Sequence, residues 1–484
     1  MFDRIKALSQ QTLLYGAGHI LARMVTFLLL PLYTNAFSPA EYGVVSLAYT
    51  FMGFMSVVLH YGLDAALMRY YVPADQSERK RLLTTAYLSF IITSAGFALF
   101  LFLVRGVASD LLLGGHYPRY LAYIAAILAL DILWSVPMLL LRSEGRPLTF
   151  ILFNLLNVIS SLSLNLLLVV KYQMGVEGVL LSNLLTSGGL VLITAPLVVK
   201  RTRGGVVSWA TWKRLMRFGL PFLPSGVFAM LMELADRYIL KTLADMETVG
   251  LYSAGYKLGM LMMLLVMGFN MGWQPFFLKE GDGEEKRQMY SRIATYVLTV
   301  LGFFWVLLLL WVDSLVRLRI GPVTVYGPEY WSSTRIVPLI ALGYIFFAAY
   351  SLQLPGVFLR EQSRWIALTR GFGAALNIGA NLILIPYFGA LGAAAATCLS
   401  FFLMAVMIYV INRNLFPVSY EWTRLTRIAG WILIVYFLST VGDHTWGWNL
   451  GLTALYPLGL IATGFLKPGE LRVVKSMFGK IFGR

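Results

Sequence analysis

Residues 293–312, IATYVLTVLGFFWVLLLLWV, form a run that contains no charged side chain. An α-helix rises about 1.5 Å per residue, so a run of about 20 residues is long enough to cross the hydrocarbon core of a bilayer. Apolar runs of similar length recur along the chain, for example at 81–104 and 147–170. We therefore expect several membrane-spanning helices.

The composition supports the same fold class. Of the 484 residues, 58% are hydrophobic and 13% are charged, whereas a soluble domain carries about 25% charged residues. The alternating ten-residue strands of a membrane β-barrel are absent from the sequence. The chain is therefore predicted to be an all-α polytopic membrane protein.

Apolar runs bounded by turn and charge signals predict about fourteen transmembrane helices, with ends accurate to a few residues. The predicted spans are 12–34, 43–68, 82–104, 120–141, 148–170, 176–199, 219–241, 249–277, 292–313, 335–358, 365–386, 390–411, 425–441 and 448–466.

The positions of the basic residues predict the orientation. Most of the 39 lysines and arginines fall in the N-terminal tail, in every second loop after it and in the C-terminal tail. Basic loops stay in the cytoplasm, so we expect both termini there. The net charge of +16 is then a topology signal, and no nucleic-acid partner is needed to explain it.

Three pairs of segments indicate an internal repeat. SPAEYGVVSLAY (38–49) aligns with DMETVGLYSAGY (245–256), and LLLRSEGR (139–146) aligns with VFLREQSR (357–364). The third pair centres on Asn165 and Asn381. Six spans per repeat leave both halves facing the same way, an arrangement of parallel repeats that occurs in transporters. Two pseudo-symmetric six-helix lobes are expected.

The repeat also predicts the domain organisation. The expected parts are an N-terminal lobe (1–199), a basic amphipathic cytoplasmic linker (200–218), a C-terminal lobe (219–411), and two extra helices with a basic cytoplasmic tail (412–484). In the linker, Trp209 and Trp212 can share a helical face beside Lys213, as in a helix that lies on anionic lipid. An ordinary basic loop is the alternative.

Few charged residues lie within the predicted spans, and these residues are the candidates for function. A charge at the centre of a membrane helix costs roughly 2.5–3.5 kcal/mol even on insertion scales, so it needs a reason. The segment LMELADRYILK (231–241) carries four charges. The basic residues in the spans are Arg23, Arg237, Lys257 and Arg370, and the acidic ones are Asp64, Asp131, Glu233 and Asp236.

Each candidate also has a purely structural interpretation. Glu233 and Arg237 are four residues apart and can neutralise each other on one helix face. Asp131 is either hydrogen-bonded to a neighbouring helix or a proton carrier. Asp64 can pair with Arg69 near the end of its span. Arg23 has no acidic residue within one turn of its own span, so an anion or water is its expected partner.

Several motifs of enzymes are missing from the sequence. There is no GxxxxGK[ST] loop, no HExxH, no GxSxG and no cluster of Cys and His, and Cys398 is the only cysteine. No predicted loop exceeds roughly 25 residues, and connections of that size leave no room for a catalytic domain. We therefore predict a protein that is not an enzyme and has no metal site or cofactor.

Four segments resemble a known family. They are SPAEYGVVSLAY (38–49), LYSAGYKLGMLMML (251–264), WQPFF (273–277) and NLILIPYFGALGAAAAT (381–397). The sequence is similar to the Wzx-type polysaccharide repeat-unit flippases of the MOP superfamily, which also contains MATE exporters and lipid II flippases. The similarity runs over nearly the whole chain, including the repeat.

The resemblance implies export of a polyprenyl-diphosphate-linked oligosaccharide from the cytoplasmic to the outer leaflet of a bacterial inner membrane by alternating access. It implies a cationic cavity that binds the substrate, with Arg23, Arg237 and Lys257 as its members here. Asp64, Asp131, Glu233 and Asp236 are then candidates for ion coupling or charge balance, with H⁺ or Na⁺ as the coupling ion. Membrane lipids and polysaccharide polymerase machinery are the other implied partners.

Two other functions fit part of the sequence. A MATE-like ion-coupled drug exporter has the same fold, although several cations in its cavity would repel cationic drugs. A membrane glycosyltransferase or polysaccharide polymerase would need a catalytic site at a sizeable loop, and the sequence offers none.

Overall fold

A computed structural model describes residues 27–321, 323–362, 364–442, 445–466 and 470, and these residues are almost entirely helical. The helices up to the middle of the chain are α1 (Phe27–Ala36), α2 (Pro39–His60), α3 (Leu63–Tyr71), α4 (Gln76–Leu103), α5 (Arg105–Leu113), α6 (Pro118–Ser143), α7 (Pro147–Asn165), α8 (Gly175–Thr202), α9 (Trp209–Gly219) and α10 (Leu223–Leu243). The remaining helices are α11 (Met246–Gly259), α12 (Leu261–Glu280), α13 (Glu284–Arg317), α14 (Val337–Leu352), α15 (Leu354–Leu359), α16 (Arg364–Phe388), α17 (Ala390–Leu415), α18 (Trp422–Val441) and α19 (Trp446–Ala462).

The prediction of an all-α polytopic membrane protein is confirmed. Twelve helical segments of the described residues are long and apolar enough to cross a membrane, and each coincides with a predicted span. The last predicted span corresponds to α19, which has 17 residues. Of the first predicted span, α1 is the part that the structure describes. The orientation of the termini remains a prediction.

Helix starts follow local capping signals. The sequence SPAE places Ser38 before α2, where its hydroxyl accepts a hydrogen bond from the Glu41 backbone, and the Glu41 carboxylate accepts one from the Ser38 backbone at 2.9 Å. This reciprocal pair satisfies two backbone donors that would otherwise be unpaired, and Pro39 fits the first turn because it lacks an N–H. Asp75 caps α4 with one such bond, accepting from the Glu78 N–H at 2.8 Å.

The chain forms two compact units. The first contains the residues up to Lys257, Arg319–Ser333 and Arg370–Ala396, and the second contains Leu258–Leu318, Thr334–Thr369 and the residues from Thr397 onward. The predicted boundaries at 199, 218 and 411 rest on the repeat and remain a prediction.

Within the first unit, the two copies of the repeat meet at equivalent positions. The Ser46 and Ser253 hydroxyls are 2.6 Å apart. A Cβ atom on Gly43 would lie 2.4 Å from the Met246 carbonyl oxygen, and one on Gly250 would lie 1.8 Å from the Pro39 carbonyl oxygen. Only glycine permits this approach, because a larger residue would collide with backbone. Small residues at helix crossings are the usual device for close packing in membranes.

Other helices of the first unit pack around this contact. Helix α2 packs along α10, α6 packs between α4 and α8, and α3 packs against α9. Helix α9 occupies the predicted linker, where the rings of Trp209 and Trp212 stack with centroids 4.4 Å apart. Trp212 donates from Nε1 to the Ser89 hydroxyl at 3.0 Å, which fixes α9 against α4.

The first unit also contains a short antiparallel strand pair that the sequence analysis did not predict. Strand β1 (Arg319–Ile320) pairs with β2 (Val323–Thr324). The Thr324 carbonyl accepts a hydrogen bond from the Asn35 amide at 2.8 Å, and the Phe37 carbonyl accepts one from the Tyr330 hydroxyl at 3.0 Å. These contacts fix the segment after α13 to the end of α1.

The second unit is organised around α13. This helix packs against α14, α18 and α19, and α12 packs against α14. Its core is an aromatic cluster in which Trp273 contacts the rings of Phe277 and Tyr290, and Tyr290 stacks on Phe416. Aromatic rings supply large contact areas, which stabilise helix packing where lipid removes the usual hydrophobic driving force.

Candidate functional site

A cavity of ≈ 340 Å³ in the first unit is lined by α1, α2, α7, α8, α10 and α11. We call it the cationic cavity, because its charged lining residues are Arg237 and Lys257. The rest of its lining consists of hydroxyl, amide and apolar side chains, and none of the lining residues in the described part of the chain is acidic. Such a lining attracts anions, and low-dielectric surroundings strengthen that attraction.

Arg237 is buried in the middle of α10, where 7% of its surface is exposed. Its Nη1 donates to the Asp236 carboxylate at 2.8 Å and to the Glu233 carbonyl oxygen at 2.7 Å. The guanidinium lies over the Tyr256 ring, 4.5 Å from its centroid. A guanidinium has five N–H donors, and the described residues accept hydrogen bonds only from Nη1. The donors on Nε and Nη2 are therefore available to a ligand.

Asp236 balances the charge of Arg237 and is itself fixed. It is 1% exposed and accepts a short hydrogen bond from the Tyr252 hydroxyl. Glu233, which the sequence analysis paired with Arg237, contributes its backbone carbonyl, and its half-buried side chain makes no ion pair among the described residues. The pairing differs because adjacent residues Asp236 and Arg237 both point into the packed side of α10, where Tyr252 orients the carboxylate.

Lys257 on α11 lines the same cavity and is half-buried. Its ammonium lies over the Tyr42 ring, 5.4 Å from the centroid. No carboxylate of the described residues pairs with it. The ammonium is therefore not neutralised by an acidic partner among the described residues, and an anionic ligand would relieve its proximity to Arg237 in the same cavity.

Hydroxyl and amide groups complete the lining. Asn183 on α8 donates to the Tyr49 hydroxyl at 2.8 Å. The Tyr33 hydroxyl donates to Asn165 at 2.9 Å. Asn157 and Ser161 on α7 also line the cavity. These groups donate and accept hydrogen bonds, which suits a hydrated or hydroxyl-rich ligand.

The structure places the other acidic candidates outside the cavity lining. Asp131 on α6 accepts a hydrogen bond from the Ser187 hydroxyl of α8 at 2.5 Å, which is one of its two predicted arrangements. Asp64 lies in the exposed first turn of α3, and no ion pair joins it to Arg69 among the described residues. A role of either carboxylate in ion coupling stays a prediction.

The other basic residues that the structure describes lie away from this cavity. Arg23 lies outside the described residues. Lys241 donates to the carbonyl oxygens of Asp110 and Leu111, near the C-terminus of α5, where helix carbonyls are unpaired. Arg370 is half-buried in α16 and does not line the cationic cavity. Of the predicted substrate-binding residues, Arg237 and Lys257 therefore meet at one site.

The uncharged part of the site is not apparent from the sequence. Tyr33, Tyr49, Asn157 and Asn183 were not predicted, because aromatic and amide side chains are also common in ordinary helix packing. The available signal was the recurrence of asparagine in otherwise apolar spans, as in FNLLNVISSLSLN (153–165).

Comparison with known proteins gives consistent results. Residues 8–280 match the family described as polysaccharide biosynthesis protein. An uncharacterized membrane protein of Haemophilus influenzae is 21% identical over 412 residues, which cover 80% of this chain and 94% of that protein.

Solved structures share the fold at low sequence identity. The lipid II flippase MurJ, in an inward closed conformation, has a TM-score of 0.73 and 13% identity, covering 98% of this chain and 100% of that one. A multidrug resistance MATE family transporter of the MOP superfamily, in an inward-facing conformation, has a TM-score of 0.67 and 14% identity, covering 84% and 95%. At these identities the likeness concerns the fold.

Proposed function

The chain belongs to the polysaccharide biosynthesis protein family, and from this premise we propose that it is a flippase for lipid-linked oligosaccharides. Its substrate is a repeat unit joined to a polyprenyl diphosphate, moved from the cytoplasmic to the outer leaflet of a bacterial inner membrane. Movement is by alternating access, coupled to H⁺ or Na⁺. A hydrated anionic head group cannot cross hydrocarbon unaided, because transferring a charge there is very unfavourable.

The observation that carries the proposal is the cavity itself, which has two cations and no acidic lining residue among those described. A diphosphate has several anionic oxygens, and a guanidinium donates to such oxygens through two parallel N–H bonds. The donors on Nε and Nη2 of Arg237 are available for this contact, and Lys257 adds a point charge. Asp236, behind Arg237, prevents excess positive charge from trapping the substrate.

The uncharged lining suits the sugar part of the same substrate. Tyr49, Asn157, Ser161 and Asn183 present hydroxyl and amide groups to the cavity. Sugar hydroxyls both donate and accept hydrogen bonds, so a lining that does both can replace their water. Arg23 remains a proposed member of the binding set, and Asp64, Asp131 and Glu233 remain proposed coupling or charge-balancing residues.

The fold relatives fit this proposal to different degrees. MurJ is a flippase for lipid II by its name, and its structure covers nearly this whole chain. The other relative is a multidrug resistance MATE family transporter. Asp236 balances Arg237 in the cationic cavity, but Lys257 has no acidic partner among the described residues, so the cavity keeps an excess positive charge that would disfavour cationic compounds. The lipid-linked substrate is therefore the better match for the charges of the cationic cavity. The polysaccharide polymerase machinery of the same pathway is a proposed partner.

The proposal is tested by deleting the gene in its host and measuring lipid-linked oligosaccharide and surface polysaccharide. Loss of the flippase should make the lipid-linked intermediate accumulate and the surface polymer disappear. Wild-type protein should restore the polymer. Lys257→Ala should restore less than about one tenth of it, because removing one charged contact to a phosphate costs roughly 1.5–3 kcal/mol.

Lys171→Ala is the matched control, because it removes the same side chain from an exposed position outside the cavity. It should complement like wild type at equal protein levels in the membrane. Normal surface polymer after deletion, together with new sensitivity to cationic dyes, would reject the proposal in favour of a drug exporter.

A further inference from the structure

A second cavity of ≈ 440 Å³ lies in the same unit, between α2 and α10. We call it the apolar cavity. Its lining includes Phe51, Phe54, Leu231, Ala235 and Tyr238, and it contains no charged or amide side chain. It shares two lining residues with the cationic cavity, Thr50 and Leu234. The two cavities are therefore adjacent along α2 and α10.

Helix periodicity explains how α10 serves both cavities. Residues three and four apart lie on one helix face, so Leu231, Leu234, Ala235 and Tyr238 form a continuous apolar stripe. Arg237 points from the neighbouring face into the cationic cavity. Leu234 stands at the border of the two. One helix therefore presents a cation and an apolar surface about one turn apart.

The apolar cavity does not suit a polar ligand. Its lining residues with polar side-chain atoms are Thr50 and Tyr238. The Tyr238 hydroxyl is buried and has no hydrogen-bond partner in the described structure, so it is one polar group that a hydrocarbon ligand would leave unpaired. The side chains of the other ten lining residues contain no nitrogen or oxygen, and hydrocarbon therefore matches the lining as a whole.

We propose that the apolar cavity holds the first isoprene units of the lipid carrier, directly beside the diphosphate in the cationic cavity. This inference rests on the proposed function. The proposed ligand is one amphiphile in which the diphosphate is covalently joined to the hydrocarbon chain. The cationic cavity and the apolar cavity are adjacent in the same way, so each can hold one of these two parts. A volume of ≈ 440 Å³ is within the range of small-ligand pockets, so it takes a short chain segment and the rest of the carrier lies elsewhere.

The occupancy is tested by binding of short diphosphates to the full-length protein in nanodiscs. The probes are inorganic diphosphate, which has no chain, and geranyl diphosphate, which has two isoprene units. Wild-type protein should bind geranyl diphosphate about tenfold or more tightly than inorganic diphosphate, because the chain buries apolar surface. Isothermal titration calorimetry measures both affinities.

Ala235→Phe fills the apolar cavity and should reduce the preference for geranyl diphosphate to less than about threefold. The affinity for inorganic diphosphate should stay unchanged. Ala229→Phe is the control, because Ala229 is on the same helix and lines neither cavity. It should keep the full preference. If Ala235→Phe is not folded by its melting temperature, Ala235→Leu gives a smaller filling with a proportionately smaller loss.

The outcomes separate this inference from the proposed function. An unchanged preference in a folded Ala235 variant overturns the inference. Equal displacement of geranyl diphosphate by phosphatidylglycerol also overturns it, because the cavity would then accept any lipid chain. If Lys257→Ala leaves the affinity for inorganic diphosphate unchanged, the cationic site of the proposed function is wrong.

Discussion

Arg201 and Arg237 differ in how many of their guanidinium nitrogens donate hydrogen bonds to the protein. Arg201, in the last turn of α8, donates from Nε and Nη2 to the Glu144 carboxylate at 2.5 Å and from Nη1 to the Leu197 carbonyl at 3.2 Å. Every nitrogen of that guanidinium has a protein acceptor. Arg237, in the middle of α10, uses Nη1 alone. The arginine at the helix end uses all three of its nitrogens, whereas the arginine of the cavity has two nitrogens with no acceptor among the described residues.

The two arginines also differ in burial. The side chains of Arg201 and Glu144 are 21% and 20% exposed, whereas those of Arg237 and Asp236 are 9% and 1% exposed. A buried pair requires more desolvation than a partly solvated one, and breaking it leaves an uncompensated charge. Keeping an incompletely bonded arginine at the more buried position is consistent with a functional role.

The largest expected effect comes from Asp236→Asn. Removing this carboxylate leaves Arg237 buried without a counter-charge, so the free energy of unfolding should fall by about 3–5 kcal/mol. The measurement is thermal or denaturant unfolding of the purified protein. Adding Arg237→Gln should recover much of the loss, because no unpaired charge is then buried. If Asp236→Asn alone were as stable as wild type, the claim that this carboxylate compensates the buried charge of Arg237 would be wrong.

A smaller effect is expected from Glu144→Gln. Glu144 accepts from Arg201 and from the Tyr71 hydroxyl at 3.2 Å, but water reaches the site and weakens the pair. The free energy of unfolding should fall by about 1–2 kcal/mol. Complementation of surface polysaccharide should remain normal. A loss as large as that of Asp236→Asn would show that burial does not distinguish the two regions.

The smallest effect is a pH dependence at Asp282, between α12 and α13. Hydrogen bonds from Arg287 hold the pKa of this carboxyl below its usual value, with smaller contributions in the same direction from the Gly283 N–H and the nearby Arg360, and they outweigh the partial burial that would raise it. Because the folded pKa is lowered, the stabilisation is present above the unfolded pKa of about 4 and is lost as pH falls through the folded value.

Comparison of wild type with Asp282→Asn measures this contribution. The difference in melting temperature should be constant near neutral pH and should shrink below about pH 4. The difference in the free energy of unfolding should be less than about 1 kcal/mol, because Asp282 lies in a surface loop where water reaches the pair and screens it. A difference that persists at pH 2–3 would contradict the assigned ionic contact.

The sequence alone predicted the helical spans well. Long apolar runs leave one structural solution, because every backbone polar group in lipid must be paired within the helix. The strand pair at 319–324 was missed, because its two-residue strands are fixed by contacts with Asn35 and the end of α1 rather than by local pattern.

The site was predicted in part. Arg237 and Lys257 stood out because a charge within an apolar span is costly wherever it lies. Their grouping in one cavity, and the choice of Asp236 rather than Glu233 as the partner of Arg237, depend on side-chain directions that sequence spacing does not fix. Tyr33 and Asn183 carried no distinctive sequence signal.

The sequence by itself therefore determined that this chain consists of membrane helices with a few energetically unfavourable charges in its spans. The physical reason is that each segment in hydrocarbon must pair its own backbone polar groups, whatever the other segments do. Only the tertiary structure decided which charges share a cavity, which donors stay unpaired and where an apolar cavity lies beside them. Those features arise from packing between helices distant in sequence, where the close contacts of Gly43 and Gly250 set the geometry.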